Sequence, residues 1–242
     1  MSFANFIESY GHLGIHRRNW KPAMFPYIFE KEAACLKFDL VQTQTALTKA
    51  SFEIQKFADA NKNSKILIIG TSLESKEVIR HCSSFSDRFF YVTHKWKGGT
   101  ISNWQETKKR INRLVEETTL SKSGGKAYLK ALRRREELEE QVAGLKGLEH
   151  IPEMVIFTDP TYDNHALKEC HHRGLKVVAL VDTDCDLEMI DYPIPTNTRC
   201  SGAIQEALQI LLDIHPSHFR NRDLSHWAYR ALGAKNKNGE FI

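Results

Sequence analysis

The sequence predicts an α/β fold, a parallel β-sheet flanked by helices on both faces, and three observations point to it. Short apolar runs recur at 65–71 (KILIIGT), 88–93 (RFFYVT), 154–160 (MVIFTDP) and 176–184 (KVVALVDTD). Continuous β-branched runs of that length suit strands covered on both faces, as in a parallel sheet. Helical patterns fall between the runs, and such alternation is the signature of βαβ units with right-handed crossovers.

Taken in chain order, the N-terminal third is aromatic-rich (WKPAMFPYIF, 20–29) and leads into a long amphipathic pattern from about Asp39 to Asn61. After the first apolar run, SLESKEVIRHCSSF reads as a helix that Ser72 or Ser75 can cap. DNHALKECHHRG reads as another, starting at Asp163 and closed by Gly174. A last helix, Ser201 to Ile214, places Ile204, Leu208, Leu211 and Leu212 on one face and ends before Pro216. The stretch from Trp104 to Gly147 has no strand signal. Ile111, Leu114 and Val115, then Leu129, Leu132, Leu138, Val142 and Leu145, mark two helical stripes around SKSGG at 121–125. Two antiparallel helices of about 17–20 residues, roughly 25–30 Å long, are expected to project as a hairpin between the second and third strands. The expected division is therefore an α/β domain from 1–103 and 146–215, an inserted helical hairpin at 104–145, and a basic C-terminal extension at 216–242.

At 242 residues, 41% hydrophobic and 26% charged, the chain can bury a real core. It has no apolar run near the roughly 20 residues that cross a bilayer, and residues 1–30 lack the layout of a secretory signal, so no membrane partner is expected. The expected setting is cytosol or an organelle interior. Cys35, Cys82, Cys170, Cys185 and Cys200 form no C-x-x-C pair and read as mostly buried small apolar residues. Net charge is +4, compatible with a polyanionic partner. Arg220, Arg222, Arg230, Lys235 and Lys237 against Asp223 and Glu240 place three of those charges in the tail.

An enzyme on this sheet would use the strand-end residues Gly70, Thr71, Asp159, Asp182, Thr183 and Asp184, because doubly wound sheets bind ligands there. No strand is followed by a dinucleotide or P-loop glycine pattern, and IIGTSLESK offers one glycine only. Asp182, Asp184 and Asp186 resemble half of a calcium loop without its glycine and late glutamate. His12 with His16, and His171 with His172, fall short of a zinc set. No cofactor or metal is expected.

Nucleic-acid binding fits better. GIHRRNWKP (14–22) gathers His16, Arg17, Arg18 and Lys21 around Trp20, in a loop that Gly14 and Pro22 make irregular. THKWKGGTISNW (93–104) repeats the recipe with His94, Lys95, Trp96, Lys97, Asn103 and Trp104. Cations attract phosphate and planar rings can stack on bases, while Gly98 and Gly99 would let a phosphate approach backbone N–H groups. Lys108, Lys109 and Arg110 extend the second cluster. Trp96 and Trp104 are alternatively anchors of the hairpin base, packing inward.

GHLGIHRRNWKPAMFPYIF, IIGT, THKWKGGTISNW, GLKGLEHIPEMVIFTD, ALKEC, GLKVVALVDTDCD and DYPIPTN occur in the order and spacing of a known family. Over roughly residues 8–215 the chain resembles the bacterial-type small-ribosomal-subunit protein 2 family. That resemblance implies a Rossmann-like (flavodoxin-like) parallel α/β domain with a protruding antiparallel coiled-coil hairpin. It implies a non-catalytic protein that binds small-subunit ribosomal RNA near the head–body junction and messenger exit path, beside neighbouring ribosomal proteins. The chain departs from the family pattern at Ile15, at Asp184 to Leu187, and at Thr196 to Thr198, and its tail after Pro216 has no counterpart. The DTDCD block is nearest plastid-type members, so an organellar small subunit is expected, plastid before mitochondrion, with a bacterial cytoplasm as the alternative.

Overall fold

The computed structural model describes residues 3–30, 35–60, 64–117, 133, 135–136 and 138–214. A first helix, α1 (Phe3–Glu8), precedes a small antiparallel sheet of β1 (Leu13–His16), β2 (Ile28–Glu30) and β3 (Cys35–Phe38), ordered β1-β3-β2. Then come α2 (Leu40–Ala60), β4 (Ile66–Ile69), α3 (Leu73–Ser83), β5 (Phe89–Val92), α4 (Trp104–Glu117), β6 (Met154–Phe157), α5 (Asn164–His172), β7 (Lys176–Val181), β8 (Tyr192–Pro195) and α6 (Ser201–Leu211).

The main sheet runs β5-β4-β6-β7-β8 with every pair parallel. Numbered along the chain from β4, that is the order 2-1-3-4-5, the flavodoxin-like variant of the doubly wound sheet. Side chains alternate faces along each strand. Leu67, Ile69, Val155, Phe157, Val177, Ala179 and Val181 enter one core, shared with Leu36 and Phe38 of β3, Ile111 of α4 and Ala166, Leu167 and Cys170 of α5. Ile66, Ile68, Met154, Ile156, Val178 and Leu180 enter the other, with Leu47 and Ile54 of α2, Ile79 of α3, and Ile204 and Leu208 of α6. Two-sided burial explains why these strands read as unbroken apolar runs. Phe157 is wholly buried, so cutting it to alanine costs about 3–5 kcal/mol.

The α/β expectation is borne out, and several local readings change. β8 carries Pro193 and Pro195, which cannot donate to a ladder, and it lies at the sheet edge where this is tolerated. GIHRRNWKP is not simply an irregular loop. Leu13–His16 is a strand paired with β3, Arg17–Asn19 is a 3-10 turn, and a second 3-10 segment spans Pro22–Tyr27. Gly14 marks a close approach, since a Cβ there would lie 2.5 Å from the Thr183 methyl. Ser72 takes the cap position of α3 without a side-chain capping bond and instead donates to the Ser75 hydroxyl at 2.9 Å. Gly174, at φ +70°, closes α5 as expected. Cys82, Cys170 and Cys185 are buried, but Cys35 is exposed on β3 and Cys200 half-buried.

Of the expected hairpin, α4 and helical residues 138–142 are described, and Leu138, Val142 and Leu145 pack on the first core. The SKSGG turn, Leu129 and Leu132 lie outside the described residues, as does the tail at 216–242. Among the described residues no helix is long and apolar enough to cross a membrane.

Candidate nucleic-acid interface

Both aromatic-basic clusters sit at the carboxyl edge of the main sheet. The His94–Trp104 segment leaves β5. The Arg17–Lys21 turn docks on the end of β7, where Ile15 N–H donates to Asp182 Oδ1 and Thr183 Oγ1, each at 3.2 Å, and Lys21 N–H donates to the Thr183 carbonyl at 2.8 Å. β5 and β7 are three strand spacings apart, so the clusters are separated by about 14 Å along the edge.

Within the first cluster His16, Arg17 and Arg18 are exposed, and the His16 ring nitrogen accepts the Arg18 N–H at 3.3 Å. Lys21 pairs with Asp186 at 3.7 Å, an exposed contact worth little. Trp20 is half-buried against the first core and meets Phe25 with ring centroids 6.5 Å apart.

In the second cluster, Lys95 and Lys97 are exposed and form no ion pair among the described residues. Together with Arg110 of α4 they line one small cavity of about 20 Å³, whose walls include Thr100, Thr107 and Gln141. Lys108 and Lys109 diverge from it. Lys108 Nζ donates to the Glu149 carbonyl at 3.5 Å, and Lys109 pairs with Glu106 at 3.5 Å. His94 lies 3.7 Å from Glu140 in the returning helical segment. The Asn103 carbonyl accepts Glu106 N–H at 3.1 Å and Thr107 N–H at 3.3 Å, closing the first turn of α4. Trp96 and Trp104 are half-buried on the first core, in the inward arrangement expected for anchors.

Of the glycine pair, Gly98 is exposed with open space around it, whereas Gly99 does not offer bare backbone. Gly99, at φ +89°, gives its N–H to Glu169 at 3.1 Å. The same carboxylate accepts the Trp96 indole N–H at 2.9 Å, Ile101 N–H at 2.8 Å, Ser102 N–H at 2.7 Å and the Ser102 hydroxyl at 3.0 Å. Burial of the Glu169 carboxyl opposes its charge, but hydrogen bonds from Ser102, Trp96 and Ile101 outweigh it and hold its pKa below the ordinary value. Nothing in the spacing of ALKEC announces this residue, because its partners lie 67 to 73 positions away.

The acidic strand ends, where an enzyme on this sheet would hold its substrate, are mostly occupied internally, Asp182 Oδ2 being buried without a hydrogen-bond partner among the described residues. Asp159 accepts Thr161 and Tyr162 N–H and the Thr198 hydroxyl. Asp163 takes both donors of Thr71. Asp184 pairs with Arg199 at 3.1 Å. Asp182 is 2% exposed, and burial pushes its pKa up to about 6, with Thr183 N–H opposing and Asp184 adding to the rise. Among the described residues no cluster of ligating side chains could hold a metal ion. A cavity of about 520 Å³ lies at the opposite, amino edge, between Ile54, Ile66, Phe85, Phe89 and Leu211. The crevice between β4 and β6, where this sheet order would place a ligand, is thus bridged by protein groups.

The sequence model of the family described as Ribosomal protein S2 matches residues 6–215. The small ribosomal subunit protein uS2 of a Picosynechococcus strain is 33% identical over 223 residues, covering 88% of this chain and 84% of its own. That of Thermosynechococcus vestitus is 34% identical over 223 residues, covering 88% and 82%. The uS2c protein of Phaeodactylum tricornutum is 32% identical over 219 residues, covering 88% and 96%.

Proposed function

The chain belongs to the ribosomal protein S2 family, and from that premise we propose that it grips small-subunit ribosomal RNA along the carboxyl edge of its sheet. As a member it is a structural component of the small ribosomal subunit, serving translation, and not an enzyme. The observation that carries the RNA reading is the convergence of Lys95, Lys97 and Arg110 on one cavity at the root of α4. The recess itself admits no more than a water, so a phosphate group would sit at its mouth, within reach of the three cationic side chains. His16, Arg17 and Arg18, about 14 Å along the same edge, supply a second point of attraction. Two separated anchors fix the orientation of an RNA segment, which is what backbone contacts do without reading sequence.

The finer placement follows the family resemblance: near the head–body junction and messenger exit path, with residues 104–145 as an inserted hairpin reaching neighbouring ribosomal proteins, and 216–242 as a basic extension. Cyanobacterial uS2 and plastid uS2c relatives stand equally close, which favours a plastid or a cyanobacterium-like bacterium. The test is filter binding of the full chain to a cyanobacterial small-subunit ribosomal RNA transcript across a salt series. Replacing Lys95, Lys97 and Arg110 by alanine lowers affinity and flattens the log-log salt slope by about one unit for each phosphate no longer neutralised. A folded variant with the wild-type slope would overturn the assignment.

A further inference from the structure

We propose that Glu169 is the positioning residue of the RNA-facing loop, locking residues 96–102 so that Lys95 and Lys97 are presented with Arg110 before RNA arrives. The inference rests on the reading of that loop as an RNA contact. One carboxylate takes three backbone N–H groups, an indole N–H and a hydroxyl from a seven-residue segment. Arg173, just beyond the same helix, donates to the Ser102 carbonyl, so α5 holds the loop through an acceptor and a donor. The helix itself is fixed by Ala166, Leu167 and Cys170 in the core.

Gly98 and Gly99 give this loop more conformational freedom to lose than any other residue pair would. Glu169 removes that freedom in the free protein, leaving less to be lost on binding. Its oxygens also occupy the concave array of N–H groups that would otherwise accept a phosphate. RNA therefore meets the lysine side chains, and the main chain serves as their frame.

Two readouts on the full-length chain separate this idea from the RNA reading beneath it. In E169A, amide exchange at Gly99, Ile101 and Ser102 accelerates, and affinity for the same ribosomal RNA transcript falls about tenfold while the salt slope stays at the wild-type value. Removal of a cation that neutralises phosphate would change the slope. E169Q keeps one acceptor oxygen and is impaired less; it replaces E169A if the latter lowers the urea midpoint. Wild-type affinity in either variant with accelerated exchange, or unaltered exchange, overturns the positioning role. A Lys95 and Lys97 double alanine variant that binds like wild type overturns the RNA reading of the loop and leaves the exchange result standing.

Discussion

The Thr71 hydroxyl donates to Asp163 Oδ1 at 2.7 Å while the Thr71 N–H donates to Oδ2 at 3.0 Å. Thr71 follows β4 and Asp163 precedes α5, so this fork spans the boundary where the strand order reverses. In a ligand-binding sheet of this order the same gap holds the ligand. Here it is a joint. Thr71→Val deletes one donor to a carboxylate that is 5% exposed, and stability falls by about 1–2 kcal/mol in urea unfolding, with RNA affinity of the folded protein unaltered.

Asp182 gives the fold a pH dependence of unusual sign. Burial raises its pKa from 3.8 to about 6, so the folded state favours the protonated form. The stabilisation is complete below the unfolded pKa and is lost as pH rises through about 6. Urea midpoints measured from pH 4 to pH 7 should therefore carry a contribution that falls with pH, and Asp182→Asn should remove it. An identical profile in that variant would assign the dependence to other groups.

Gly14 tests the docking of the N-terminal strand on β7. A Cβ at this position meets the Thr183 methyl at 2.5 Å and the Leu36 carbonyl at 3.4 Å. Gly14→Val therefore displaces β1 from β7, costing about 1–3 kcal/mol. Proteolysis near Arg17 and Arg18 should speed up, while Gly14→Ala combined with Thr183→Ser recovers part of the stability.

Lys108 and Lys109 serve as internal controls for Arg110. Successive helix residues are turned about 100° from one another, so three adjacent cations cannot share a target. Replacing Arg110 alone with alanine should weaken RNA binding and lower its salt slope by a fraction of the unit that one phosphate carries, since Lys95 and Lys97 remain, and replacing Lys109 alone, already paired with Glu106, should change binding far less. Equal effects would mean that the basic run acts as a diffuse field.

The central strands were legible because β4, β6 and β7 are buried on both faces and declare themselves as apolar runs. β8 was not, since its two prolines argue against a strand until its edge position is known. β1, β2 and β3 are three or four residues long, too short for alternation to show. The cationic residues of the candidate interface were legible by type, whereas their grouping depends on helix phase and on loop closure. Glu169 lies beyond sequence reach for a simple reason: a carboxylate on a helix face is ordinary until the loop it serves is folded against it.

That dependence also orders events in time. The loop after β5 waits for an acid that emerges 67 to 73 residues later during synthesis. Until β6 has joined the sheet and α5 has packed, Trp96, Gly99 and Ser102 have no common partner. The loop proposed to face RNA therefore cannot mature until the chain has been made past Glu169, and a shorter nascent chain carries its lysines without their arrangement. Ordering the loop from a distance makes its arrangement a report on the packing of the helix that carries Glu169.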